Sequence, residues 1–275
     1  MDLILTAARG LGWNEFRTYA ASIAKIGFSG TKVVLVENIT QEARNNLLSQ
    51  GFQLVDFVTE DASRLFYTTR LGAAVSFLEK NYQNFRNIVW VDSRDLVFQS
   101  NPSTWMEDHL APHTLLAAGE GIAIKDQPLN ASWAKAAVPE EVYGWLQDCE
   151  VCCGGTLAGT SEVMYRVLEK VYSILRATPE RLYDQAVLNH VLRESPFKEV
   201  MRIPSVHEGF AATCEVFLRG ERKGPLPRLD PSGLVLTPEG TPFVIVHQYD
   251  RNSAWKSTVE SRYEEQKRNI RRLRR

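Results

Sequence analysis

Two aspartates three positions apart, in Asp92-Ser93-Arg94-Asp95, follow directly on the apolar run NIVWV at 87–91. Carboxylates spaced this way in a turn at a strand end can converge on one point. Hard divalent cations such as Mg²⁺ or Mn²⁺ take such oxygen ligands, completed by phosphate oxygens and water. A competing reading has Asp92 capping the turn while Asp95 pairs with Arg94 or a more distant base. The strand type favours the metal, because ligands of open α/β sheets sit beyond the carboxyl ends of the strands. The cysteines suggest a second metal chemistry, at Cys149, Cys152, Cys153 and Cys214. Two of them are adjacent, there is no second C-x-x-C pair, and the nearest downstream histidine is His190. Structural zinc is therefore not expected, and four cysteines in a chain this long do not make a disulfide framework.

The elements that must position these residues alternate. Buried-type runs predict strands at 3–7, 32–36, 53–58 and 87–91. Helical spacing predicts helices at 16–26, at 40–50 with Thr40 as N-cap, and at 65–80. Strands and helices alternating at this spacing imply a mostly parallel, doubly wound (Rossmann-like) sheet. The second half is less regular. It reads as strands at 115–118, 155–158, 200–203, 214–218, 234–236 and 243–246, with helices at 140–147, 161–176 and 182–193. Residues 220–233, rich in Gly, Pro and charge, read as a loop or hairpin. No repeat or low-complexity linker appears, so the expectation is one α/β domain with a mixed, mostly parallel sheet flanked by helices.

Composition fits a protein with an ordinary core. The 275 residues are 44% hydrophobic, and 32 basic against 33 acidic side chains leave a net charge of -1. A neutral total gives no bulk reason to bind nucleic acid. No stretch approaches the ~20 apolar residues of a membrane span, and the first residues have no basic leader, which predicts a cytoplasmic location.

The segment VWVDSRDLVFQSNP (89–102) resembles the metal-binding segment of nucleotide-sugar glycosyltransferases with the GT-A fold. In that family a strand ends in a D-x-D-type motif that holds Mn²⁺ or Mg²⁺ against the diphosphate of the donor. The resemblance maps the acidic pair onto Asp92 and Asp95, with Ser93 and Arg94 beside the donor. Arg94 stands where the commoner motif has its second Asp, so which carboxylate touches metal directly stays open. CGGTLAG at 153–159 is similar to the family's N-x-G-x-x-x-G stretch, with Cys153 in the place of Asn, and puts Gly154 and Gly155 at the sugars. YDQAVLN at 183–189 matches its D-Q-x-x-x-N helix start, which puts Asp184 and Gln185 beside the transferred sugar. VIVHQYDR at 244–251 is similar to its late histidine motif and makes His247 a third metal ligand.

By the same resemblance, Thr6, Ala7 and Ala8 meet the donor's base or ribose along the end of the first strand. Arg70, rather than Arg64, turns inward to the diphosphate. Glu120 is placed to meet an acceptor hydroxyl, and Asn130 and Trp133 lie in the segment where an acceptor could stack. The implied reaction moves a sugar from a nucleoside diphosphate sugar to a glycan, lipid-linked or small-molecule acceptor. An inverting enzyme needs a carboxylate base, for which Glu120 and Asp184 are the candidates; the D-Q helix start leans towards retaining relatives. Two alternatives stand beside this: a non-catalytic nucleotide-sugar-binding protein of the same fold, and an α/β phosphatase. Phosphatases of that type carry their aspartate pair after the first strand, whereas here it follows the fourth.

Charge is unevenly placed. Residues 261–275 hold seven basic and two acidic side chains, a net +5 that leaves -6 on residues 1–260. The expected organisation is a catalytic domain over 1–260 and a basic helical tail over 261–275. The tail is either a solvated or fraying helix or a site for anionic membrane lipid, a lipid-linked acceptor or an acidic partner.

Overall fold

The computed structural model describes residues 1–59, 64–178, 183–222 and 224–273, with the backbone alone from 265 onward. The first half runs β1 (Leu3–Arg9), α1 (Trp13–Lys25), β2 (Thr31–Glu37), α2 (Gln41–Ser49), β3 (Gln53–Asp56), α3 (Phe66–Asn81), β4 (Asn87–Val91), β5 (Leu96–Phe98), α4 (Pro102–His109) and β6 (Leu115–Ala123). Then come α5 (Pro128–Ala137), α6 (Glu140–Leu146), β7 (Glu150–Thr160), α7 (Ser161–Ala177), α8 (Asp184–Val191), α9 (Phe197–Val200) and β8 (Met201–Arg202). The chain closes with β9 (Ala211–Thr213), α10 (Cys214–Leu218), β10 (Arg228–Leu229), β11 (Val235–Leu236), β12 (Ile245–His247) and α11 (Ser253–Leu273).

Seven strands form the main sheet in the order β3-β2-β1-β4-β7-β6-β8. All run parallel except β7, which is antiparallel to both neighbours. The apolar runs are continuous because both faces are covered. Leu3, Leu5, Val33, Leu35, Ile88 and Trp90 pack into one core, with α3, α7 and α8. The alternate residues Ile4, Ala8, Val34, Val36, Val89 and Val91 pack into the other, with α1 and α2. The expected mixed, mostly parallel α/β architecture with a C-terminal helix is the one observed. Thr40 caps α2 as its type suggests, its hydroxyl accepting from Ala43 N–H at 3.2 Å.

A second, three-stranded sheet, β5-β12-β9, joins the segment after β4 to the end of the chain. β10 and β11 form the hairpin within the Gly/Pro-rich stretch and the strand after it. The strand expected at 214–218 is a helix, α10. Cys214, Val216 and Phe217 bury, while Glu215 pairs with Arg219 one turn on at 2.6 Å, and Gly220 at φ +73° ends the turn. α4 and α5 were not anticipated. Each starts with proline in its first turn after a capping side chain, Asn101 accepting from Ser103 N–H and Gln127 from Asn130 N–H. The helix expected from 182 starts at Asp184; residue 182 itself lies outside the described residues. α11 is continuous across 260 and 261, with Val259 and Tyr263 buried against the body. Among the described residues no helix is long and apolar enough to cross a membrane.

Helix α8 is fastened to β7 by a side chain rather than by packing alone. Buried Asn189 accepts from Cys152 N–H and donates to Cys152 C=O, both at 2.8 Å. Asn189→Ala strands both backbone groups in the core. It should lower unfolding free energy by on the order of 2–4 kcal/mol in urea titrations.

Candidate active site

The chain leaves β1 towards β2 and β3 on one side, and returns to β4 on the other. That reversal opens a crevice at the carboxyl ends of β1 and β4, the place where such sheets bind ligands. Asp92 follows β4 immediately, with its N–H donating to Gly155 C=O on β7 at 3.0 Å. β5 then pairs antiparallel with β12 so that His247 lies opposite Leu96, and Gln248 N–H donates to Asp95 C=O at 2.7 Å. This register carries a residue from the end of the chain to the acidic turn. His247 Nε2 lies 3.4 Å from Asp92 Oδ2 and 3.5 Å from Asp95 Oδ1.

The second oxygen of each carboxylate is taken by an arginine. Arg70 Nη1 donates to Asp92 Oδ1 at 2.5 Å, and Arg251 Nη2 lies 2.9 Å from Asp95 Oδ2. Arg251 reaches back because Gln248 adopts a left-handed conformation (φ 59°) that turns the chain out of β12. Burial pushes both aspartates up, but Arg70 and His247 hold Asp92 well below the usual carboxylate range. His247, with Arg251 contributing, lowers Asp95 against burial and the Asp92 charge. Burial opposes a charged imidazole, yet Cys153, Asp95 and Asp92 raise His247 well above its ordinary value.

These three residues fit a hard divalent cation. Their ligand atoms lie within 4.8 Å of one another, the one such cluster of His, Cys, Asp and Glu among the described residues. His247 is buried, and its Nε2 has no hydrogen-bond partner. Gly155 leaves the space: a Cβ there would stand 2.5 Å from His247 Cε1 and 2.6 Å from Asp92 Oδ2. The other cysteines take no part, Cys152 and Cys214 being buried in the core and Cys149 lying apart.

Arg70 does turn inward, and Arg64 does not. Arg64 Nη1 donates to the C=O of Leu175 and Thr178, at the end of α7. The Arg70 guanidinium meets carboxylates of this chain with its N–H groups. It is buried and divided between Asp92 and Asp184, with Nη2 donating to Asp184 Oδ2 at 2.6 Å. Burial and the neighbouring Asp92 charge lift Asp184 above the ordinary range against the pull of Arg70.

Gln185 is equally occupied. Its Oε1 accepts from Gly154 N–H at 2.9 Å, and its Nε2 donates to Asn130 Oδ1 at 2.9 Å and Glu120 Oε1 at 3.2 Å. Glu120 and Asn130 thus stand behind Gln185. Neither lines the 570 Å³ cavity that holds the acidic cluster, nor does Thr6, which is fully buried in β1. Ala7, Ala8, Arg70, Ser93, Arg94, Trp133, Gly154, Gly155, Asp184 and Gln185 line it, beside Asp92, Asp95 and His247. A larger cavity of about 680 Å³, between β3, α3 and α7, lies apart from this cluster.

Several residues of the wall escaped the sequence reading. Tyr183 stacks on Trp133 at 4.3 Å, and Tyr67 tilts against Tyr183 at 5.8 Å, so one face of the indole is covered. Arg9 closes the β1 side, pairing with Glu37 and lying over Phe66. Arg251 and Tyr183 had a signal, since they lie in the late histidine segment and at the D-Q helix start; Arg9, Tyr67 and Phe66 had none.

Glu120 offers a test of this buried network. Burial, with Glu215 and Glu150 adding, raises its carboxyl to about 7, against His247 and the Gln185 hydrogen bond. An acid raised in the folded state stabilises fully below its ordinary 4.5 and loses that contribution as pH rises through about 7. A shift of this size corresponds to roughly 3 kcal/mol. Relative to Glu120→Gln, the wild-type chain should lose stability between pH 5 and 8 in paired urea titrations. Parallel pH profiles would show that Glu120 is not held protonated.

No protein-family model matches the chain, and no curated protein matches it by sequence. Solved structures do. The galactosyltransferase LgtC, in complex with donor and acceptor sugar analogues, superimposes with a TM-score of 0.57 at 15% identity, over 96% of this chain and 94% of LgtC. An active-site mutant of LgtC gives 0.58 at 14% identity, over 95% of this chain and 96% of the mutant. WbbM, a bifunctional glycosyltransferase, gives 0.54 at 11% identity; the match covers 89% of this chain but only 45% of WbbM. Over nearly its full length, the chain has the GT-A-like fold of LgtC.

Proposed function

We propose that this protein is a metal-dependent glycosyltransferase that moves a sugar from a nucleoside diphosphate sugar to an acceptor hydroxyl. The observation that carries this is the convergence of Asp92, Asp95 and His247 at the strand-order reversal, on a fold shared with an enzyme crystallised with donor and acceptor sugar analogues. Asp92 Oδ2, Asp95 Oδ1 and His247 Nε2 would hold Mn²⁺ or Mg²⁺. Such a cation, when bound, stabilises the negative charge that grows on the leaving diphosphate.

The remaining roles follow from what each side chain has free. Ala7 and Ala8 offer backbone to the base and ribose at the end of β1. Arg94, exposed at the cavity with its guanidinium 3.7 Å from Asp95, can swing to a diphosphate oxygen, whereas Arg70 holds Asp92 and Asp184 in place. Gly154 and Gly155 let the donor sugar approach the β7 backbone. The Trp133–Tyr183 pair offers an aromatic wall to the acceptor. Gln185, with Glu120 and Asn130 behind it, sets the position of Gly154 and of Asp184.

Neither carboxylate considered for an inverting base is free. Glu120 is behind Gln185, and Asp184 is locked on Arg70. This favours retention of configuration, with the leaving phosphate taking the acceptor proton.

Asp92→Ala and His247→Ala should each remove the thermal stabilisation of the protein by Mn²⁺ with a nucleoside diphosphate. They should also cut sugar transfer at least about a hundredfold while the metal-free melting curve persists. Full transfer activity in Asp92→Ala would sink the proposal. Nucleotide-sugar binding by the wild-type chain with neither transfer nor hydrolysis across an acceptor panel would instead support the non-catalytic alternative.

A further inference from the structure

We infer that Cys153 is a positioning residue for this centre: its sulfur holds the Nδ1 edge of His247, so that Nε2 faces Asp92 and Asp95 and can give its lone pair to a bound cation. The inference rests on the proposed cation site and concerns a side chain outside the ligand set.

Strand alternation supplies the geometry. Along β7, Cys152 packs into the core with Val187 and Leu188 of α8, and a Cβ on Gly154 would stand 3.4 Å from Gln185 Cβ, so both face that helix. Cys153 and Gly155 therefore face the other way, onto the His247 ring. Gly155 leaves room at Cε1, and Cys153 Sγ stands 3.3 Å from Nδ1. Both side chains are almost fully buried, at 1% and 2% exposure, so water does not compete for this contact.

A neutral imidazole carries one N–H, and the contact at one nitrogen decides the state of the other. If the thiol donated to Nδ1, the ring proton would sit on Nε2 and point at the two carboxylates, closing the position to a cation. If Nδ1–H donates to sulfur, Nε2 is left as a ligand. Nε2 has no hydrogen-bond partner, and its carboxylate neighbours stand at 3.4 and 3.5 Å, which leaves room for a cation to take the place of a proton on that nitrogen while Nδ1–H stays on the sulfur. Metal-bound histidines usually give their other N–H to a carboxylate or a carbonyl. Here a thiol occupies that place.

The test is Mn²⁺ titration by calorimetry of the full chain and of Cys153→Ser, Cys153→Val and Cys153→Ala, with metal-free melting of each. Loss of the partner behind a metal-bound histidine costs about 10–100-fold in metal affinity. Valine and alanine should therefore weaken Mn²⁺ binding by that order, valine despite filling the space. Serine, which keeps a polar partner for Nδ1–H, should stay within about threefold of wild type. Unchanged Mn²⁺ affinity in the valine and alanine variants would overturn the inference, as would serine falling with them. Asp92→Asn separates this from the proposal beneath it. If it binds Mn²⁺ as wild type does, the cation site itself is wrong; if it loses Mn²⁺ and the Cys153 variants do not, only the positioning role is wrong. Should the variants misfold, long-range ¹H–¹⁵N spectra of the wild-type protein with Mg²⁺ decide the matter. A His247 proton on Nδ1 supports the inference, and one on Nε2 overturns it.

Discussion

Two arginines make the centre of this molecule tolerable. Asp95 and Asp184 are buried and Asp92 stands half-buried beside them, an arrangement that mutual repulsion and lost hydration make costly. Arg70 answers two of them at once, and Arg251 answers the third. Because each arginine takes one oxygen of Asp92 or Asp95, it also fixes where the other oxygen points. Neutralisation and orientation are thus one interaction. The same contact ties distant parts of the fold together, since Arg70 rises from α3, Asp92 follows β4, Asp184 opens α8 and Arg251 follows β12.

Around that core of charge, the sheet supplies stiffness on one side and access on the other. β7 lies at the middle of the arrangement. Its backbone is pinned to α8 by the amides of Gln185 and Asn189, and the face built from Cys153 and Gly155 forms the bed of the histidine ring. The network uses every polar atom of the Gln185 amide, which explains why Glu120 and Asn130 matter to the site without reaching the cavity. Polar networks of this kind are expensive when incomplete and specific when complete.

Most of the architecture was legible, because a buried parallel strand leaves an unbroken apolar run and a helix leaves a periodic one. The runs at β1, β2 and β4, and the Thr40 cap, needed no tertiary information. The acidic turn was legible for the same reason, since it sits where a readable strand stops. What could not be read was pairing. Nothing local to Leu96 or Ile245 says that β5 and β12 lie side by side, and that pairing is what brings His247 to Asp95; only the resemblance to a family pointed there. Arg70 turns inward, and the two carboxylates it meets could not be read from the sequence, because a buried cation is claimed by whichever carboxylates the fold brings nearest. The strand expected at 214–218 failed for a different reason: five residues are too few for periodicity to separate strand from helix.

The late arrival of His247 has a bearing on how the protein comes into being. The seven-stranded sheet is complete once β8 has been made, while the third residue of the cluster sits on a strand synthesised afterwards. Until β12 is in place, the acidic turn lacks both the imidazole and the Arg251 counter-charge, and the core under α1 and α2 lacks Val244 and Ile245. Closing the core and completing the centre are then one event: the docking of β12 between β5 and β9 supplies apolar side chains, the imidazole and the compensating cation together.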